Sequence, residues 1–98
     1  MPAVARIGDP FSTGLPCDGS STIARGSPNV IANSISVSRR GDPSASHTLL
    51  VGDVCVPHTV PIIGGSASVF VNGIAIARVG DAIDKGSITG GSPDVFAG

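Results

Sequence analysis

Apolar and polar positions along this chain alternate in short bursts separated by Gly, Asn, Asp and Ser, and no stretch keeps a helical period. That is the pattern of brief strands joined by tight turns. Its clearest instance is Ser68-Val69-Phe70-Val71-Asn72-Gly73-Ile74-Ala75-Ile76-Ala77-Arg78-Val79-Gly80-Asp81. Two apolar runs flank Asn-Gly, which supplies the positive φ that both central residues of a type I′ turn require, so the segment predicts a hairpin. Pairing outward sets Val71 opposite Ile74 and Val69 opposite Ile76 on one face, with Phe70 and Ala75 on the other. Val30-Ile31-Ala32-Asn33-Ser34-Ile35-Ser36-Val37-Ser38-Arg39-Arg40-Gly41-Asp42 repeats that register, with Ala32 opposite Ile35, Val30 opposite Val37 and Ile31 in the place of Phe70.

A third copy is split between the two ends. Gly91-Ser92-Pro93-Asp94-Val95-Phe96-Ala97-Gly98 matches Gly65 to Asn72, and Val4-Ala5-Arg6-Ile7-Gly8-Asp9 matches Ile76 to Asp81. The chain is cut inside the turn of its own third hairpin. One closed all-β domain with pseudo-threefold symmetry, spanning residues 1–98, follows if the ends meet. Residues 94–97 are then expected to pair antiparallel with residues 3–7, Phe96 facing Ala3, Val95 opposing Val4 and Ala97 beside Pro2.

The hairpin unit has fixed length, since Ser27 to Asp42 and Ser66 to Asp81 are each 15 positions. The connections vary: 17 positions from Asp9 to Gly26, 23 from Asp42 to Gly65, 10 from Asp81 to Gly91. Constant units with variable connections place function on one face. Every His and Cys lies in those connections: Cys17 in the first, His47, Cys55 and His58 in the second, and none in the third, which contains Ala82-Ile83-Asp84-Lys85-Gly86. The partition predicts loops that converge at one end and bring the four side chains together.

Arg6 and Asp9, Arg39 and Asp42, and Arg78 and Asp81 recur with the hairpins instead, and their expected role is structural. A short carboxylate after Gly accepts loop amides, and the Arg can pair with it. Three spread carboxylates make no acid–base dyad.

Composition narrows the picture further. Fourteen glycines, eight prolines and only three aromatic residues exclude long helices. No run has the length of a membrane span, and no charged-then-apolar leader opens the sequence, so the expectation is a protein made in the cytoplasm. A net charge of −1 carries no basic field and argues against nucleic acid as a partner.

The repeated hairpin ending in Arg-x-Gly-Asp, preceded by Gly-Ser-x-x-Val and an Asn turn, resembles the PAAR-repeat proteins that tip the spikes of contractile injection machines. The eponymous Pro-Ala-Ala-Arg stands here as Ala75-Ile76-Ala77-Arg78 and Ser36-Val37-Ser38-Arg39. The resemblance implies a small cone of three β-hairpins, with zinc near its point and its base on the end of a trimeric β-helical spike. Such spikes belong to contractile phage tails and type VI secretion systems. Members of that family with toxin domains carry long extensions, which this sequence lacks, so the expectation is a bare tip delivered to the target's envelope.

Zinc takes Cys sulfur and His nitrogen tetrahedrally, and structural sites use four protein ligands. Cys17, His47, Cys55 and His58 are therefore the expected ligands of one structural zinc, with Cys55-x-x-His58 as a close clamp. Asp18 or Asp53 is a substitute for one of them. A Cys17–Cys55 disulfide, or ordinary loop histidines and core cysteines, are the competing assignments. A closed site has no position for water and no catalytic use. The expected function is thus a non-enzymatic membrane-piercing tip that needs no small-molecule substrate, one copy capping three spike chains and entering the target's outer membrane on contraction. Alternatives are a small zinc hydrolase acting on envelope material and a receptor-binding β-module, the latter weakened because Phe11 is the sole aromatic residue in a variable loop.

Overall fold

Asn33 and Asn72 both adopt φ +56°, followed by Ser34 at +65° and Gly73 at +75°. These are the two consecutive left-handed residues of a type I′ turn. In a computed structural model that describes all 98 residues, they close β3 (Ile31–Ala32) onto β4 (Ile35–Ser36) and β7 (Phe70–Val71) onto β8 (Ile74–Ala75). The pairs are Ala32 with Ile35, Ile31 with Ser36, Val71 with Ile74 and Phe70 with Ala75. The split hairpin closes as well: Ala3 bridges Phe96 antiparallel, Val4 N–H donates to Val95 O at 2.9 Å, and Ala97 N–H donates to Pro2 O at 3.1 Å. The fold is all-β, as the repeats predict.

Threefold symmetry is written in the backbone. Ala5 N–H donates to Ala77 O, Ala77 N–H to Ser38 O and Ser38 N–H to Ala5 O, a cyclic set of three bonds of 2.9–3.0 Å. All three residues are wholly buried. Around them Arg6 bridges Val37, Arg39 bridges Ile76 and Arg78 bridges Val4. Of 47 backbone hydrogen bonds, 32 lie outside the strand ladders, so the repeats are joined chiefly by these inter-segment bonds.

Each Arg-x-Gly-Asp closes a turn in which the Asp amide donates to the Arg carbonyl at 3.0 Å, with Gly8, Gly41 and Gly80 at φ +86°, +91° and +94°. A side chain would be strained there. The Asp Oδ2 takes the Arg amide at 2.7 Å in all three copies, and the guanidinium grips both carboxylate oxygens at 2.9–3.1 Å. These hydrogen bonds raise the pKa of Arg6 and Arg78 above the ordinary value. The repeated charges are structural, as expected.

Two small cores stack along the axis. Val4, Ala32, Val37, Val71, Ile76 and Ala97 fill the hairpin end, while Ala5, Phe11, Ile23, Ile62, Ala77, Ile83 and Ile88 fill the connection end. Burying an Ile or Phe stabilises by about 1.5–3 kcal/mol. The remaining shape is long, 41 × 23 × 22 Å.

The connections carry more order than the sequence reading gives them. Each folds into a hairpin: β1 (Pro10–Ser12) with β2 (Ser20–Thr22), β5 (His47–Val51) with β6 (Val54–His58), and β9 (Ala82–Ile83) with β10 (Gly86–Ser87). The β5–β6 hairpin has the longest strands in the protein and turns at Gly52-Asp53, Gly52 at φ +61°. Its signal, apolar Leu49-Leu50-Val51 and Val54-Cys55-Val56 flanking Gly-Asp, is a hairpin signature in its own right.

Candidate metal centre

The β5–β6 register pairs His47 with His58 at the inner end of the hairpin. Their rings meet edge to face, centroids 4.4 Å apart, and the His47 ring lies edge-on to buried Phe11 at 5.6 Å. The third participant comes from the β9–β10 turn. There Asp84 sits at φ +56° in the two-residue loop between Ile83 and Gly86. Ile83 is wholly buried, Lys85 N–H donates to Thr13 O at 3.0 Å, and a Cβ on Gly86 would strike the backbone of Ser12. That close approach, open only to glycine, seats the turn beside the histidines.

Three donor atoms converge. His47 Nε2 lies 3.0 Å from Asp84 Oδ2, His58 Nε2 lies 3.3 Å from the same oxygen, and the two Nε2 atoms are 2.8 Å apart. His47 Nδ1 is 3.0 Å from the carbonyl oxygen of Ala45, which can only accept, so Nδ1 donates there and Nε2 is the ring nitrogen that faces the cluster. A backbone carbonyl orienting a ligand imidazole is the usual outer support of a metal site. Two imidazole nitrogens and a carboxylate oxygen facing one point repel unless a proton or a cation lies between them. Nitrogen and oxygen ligands about 2.0–2.2 Å from a tetrahedral zinc stand roughly 3.3 Å apart. The present separations need to open by only a few tenths of an ångström. The group could therefore hold a metal ion. The His47 and Asp84 side chains are 1% and 7% exposed and that of His58 is 26% exposed, so the centre opens to solvent beside His58.

The expected ligand set does not assemble as a whole. His47 and His58 meet, but Cys17 and Cys55 are joined to each other in a disulfide, Cα atoms 6.1 Å apart. Strand geometry accounts for this. Cys55 and His58 are three residues apart on β6, so their side chains leave opposite faces of the hairpin. A Cys-x-x-His clamp needs a turn, and here it is strand. Asp18 and Asp53 are not in the cluster either. Asp18 Oδ2 accepts the amide of Thr48 at 2.8 Å and its hydroxyl at 3.0 Å, bonds that hold its pKa below the ordinary 3.8. Asp53 occupies the exposed β5–β6 turn. The residue with no ligand signal of its own in the sequence is Asp84, because its connection contains neither His nor Cys. Its signal was a short Ala82-Ile83-Asp84-Lys85-Gly86 hairpin aimed at the same end.

Compared with models of known protein families and with curated proteins, the sequence matches none.

Proposed function

We propose that this protein is a non-enzymatic piercing tip, braced by one structural zinc per chain, that caps a trimeric β-helical spike of a contractile phage tail or type VI secretion system. The observation that carries the reading is the symmetry of the hairpin end. Ile31, Phe70 and Phe96 occupy equivalent places in the three repeats and are 63%, 59% and 49% exposed. One chain thus offers three matching apolar contacts about one axis, which matches the threefold symmetry at the end of a homotrimer. Covering the open strand ends of such a spike would remove edges that otherwise invite association.

The metal centre lies among the connections, away from that apolar end, and ties β5–β6, whose own apolar side chains are half-buried or exposed, to β9–β10. Metal binding there would supply folding free energy to a narrow tip. Assembly in the cytoplasm on the spike, followed by contraction into the target's outer membrane, completes the reading.

The experiment combines zinc quantification with capture of the C-terminal β-helix of a candidate spike. One chain per spike trimer, abolished by Phe70→Lys, is the expected result; three chains per trimer would overturn it. A second reading, a small zinc hydrolase of envelope polymers, is favoured by one observation. The cluster offers three protein donors, and a fourth position open to water is what hydrolysis requires. Turnover of envelope material by zinc-loaded protein, lost in Asp84→Asn, would establish it.

A further inference from the structure

The disulfide and the metal cluster brace the same hairpin from two sides. Cys55 reaches His58 along three residues of β6. Cys17, across the sulfur bridge, reaches Asp84 by another route. Cys17 pairs with Leu49, and Asp18 is bonded to Thr48 through its carboxylate and its amide N–H, the latter donating to Thr48 O at 3.2 Å. The wholly buried Thr13 donates its hydroxyl to Asp18 O at 2.8 Å and accepts Lys85 N–H at its carbonyl. Lys85 adjoins Asp84. The result is a closed circuit: Cys55, Cys17, Asp18, Thr13, Lys85, Asp84, then across the donor cluster to His58 and back along β6.

We infer that the Cys17–Cys55 disulfide and a divalent cation at His47, His58 and Asp84 are reciprocally coupled, oxidation tightening metal binding and metal resisting reduction. The inference rests on the metal-centre reading above. With the disulfide formed, the circuit fixes His58 and Asp84 at nearly their liganded separation before the ion arrives. With it reduced, β6 keeps only its ladder with β5, a marginal two-stranded unit, and the Ser44–Val60 bonds just beyond His58, so the ion must do more of the ordering. The conformational entropy lost on binding is then larger and affinity falls.

Linkage requires the converse by the same factor: a bound ion stabilises the oxidised pair over the dithiol. Reduction is the two-electron, two-proton conversion of the disulfide to two thiols by an external dithiol or glutathione, with no bond to the metal made or broken. The coupling would let metal, loaded in a reducing compartment, favour closure of the disulfide on export to an oxidising one.

The test measures zinc affinity by chelator competition on oxidised protein, on protein reduced and freed of reductant, and on the Cys17→Ser/Cys55→Ser double variant. Oxidised protein is expected to bind about tenfold more tightly than either other form, within the usual range for coupled sites. In glutathione buffers its disulfide should resist reduction by a further ~30 mV when zinc is present, the same tenfold by the two-electron conversion. Equal affinities in all three forms would overturn the coupling while leaving the metal centre standing. Tighter binding by reduced protein, lost in the double variant, would overturn it by making the thiolates ligands. Absence of zinc binding by oxidised protein would remove the metal centre and the coupling together. Because the glutathione measurement uses the unmodified chain, a variant that fails to fold does not decide the matter.

Discussion

Ser66 Oγ donates to the backbone carbonyl oxygen of Gly98. At the two other corners of the pseudo-threefold, Ser27 Oγ and Ser92 Oγ donate to the side-chain carbonyl oxygens of Asn72 and Asn33. The same three hydroxyls accept the amides two and three residues on. A backbone oxygen near the chain end thus performs what an Asn side chain performs elsewhere. Replacing Ser66 by Ala should cost about 1–2 kcal/mol, as for losing a capping hydroxyl. Ser27→Ala and Ser92→Ala should match it within about 0.5 kcal/mol by urea unfolding, and a much smaller loss at Ser66 alone would show that its corner is not equivalent.

Deleting residues 94–98 removes Ala97, 4% exposed, and uncovers Val4, 1% exposed. The whole domain should lose cooperative unfolding. A truncated protein melting within a few degrees of the full chain would contradict the closure.

Removing Asp81 strands the Arg78 amide and leaves the guanidinium only its 3.3 Å bond to Gly65 O, the pair being only 19% and 10% exposed. Asp81→Ala should cost about 2–4 kcal/mol, since breaking a largely buried pair leaves the partner unmatched. Asp9→Ala and Asp42→Ala are expected to behave alike.

The paired hairpins, their register and the closure across the termini were legible because β alternation and an Asn turn fix which residues face one another. The repeated Arg and Asp were legible as structure because they travelled with the hairpins. The candidate metal-ligating group was legible only in part. His47 and His58 stand in the sequence as plausible ligands, but their pairing depends on a Gly-Asp hairpin, and strand geometry then turns Cys55 away from His58. Asp84 could not be chosen over Asp18 or Asp53 by type; only the left-handed turn beside Ser12 and Thr13 distinguishes it.

Ser38 Oγ is fully buried without a hydrogen-bond partner, at the cyclic position that Ala5 and Ala77 fill in the other repeats. An unpaired buried hydroxyl costs about 1–3 kcal/mol. Ser38→Ala should therefore raise stability by about 1 kcal/mol in urea, and a loss of that size would mean the hydroxyl has a partner in solution.

Asp18 carries acid sensitivity. Its folded pKa lies below the ordinary 3.8, chiefly through the Thr48 amide. Its contribution is present above that ordinary value and is lost as pH falls through the folded value. The stability gap between wild type and Asp18→Asn should be widest at neutral pH and close as pH falls below the ordinary carboxylate range. A gap that grows in acid would reverse the assignment.

Zinc at about a hundred times its Kd should stabilise the folded chain by ~2.7 kcal/mol. Asp84→Ala and His58→Ala should abolish that gain, read as the loss of a zinc-dependent rise in Tm. Retention of the rise in both variants would place the ion elsewhere.

The cyclic bonds among Ala5, Ser38 and Ala77 also order events in time. Ala5 leaves the ribosome early, yet its amide waits for Ala77 O, and neighbouring Val4 for Val95 O. Ala77 completes the ring from segments already made, but Val4 still waits for Val95, so nascent chains should stay protease-sensitive until residues 94–97 emerge and then fold in one step governed by long-range closure.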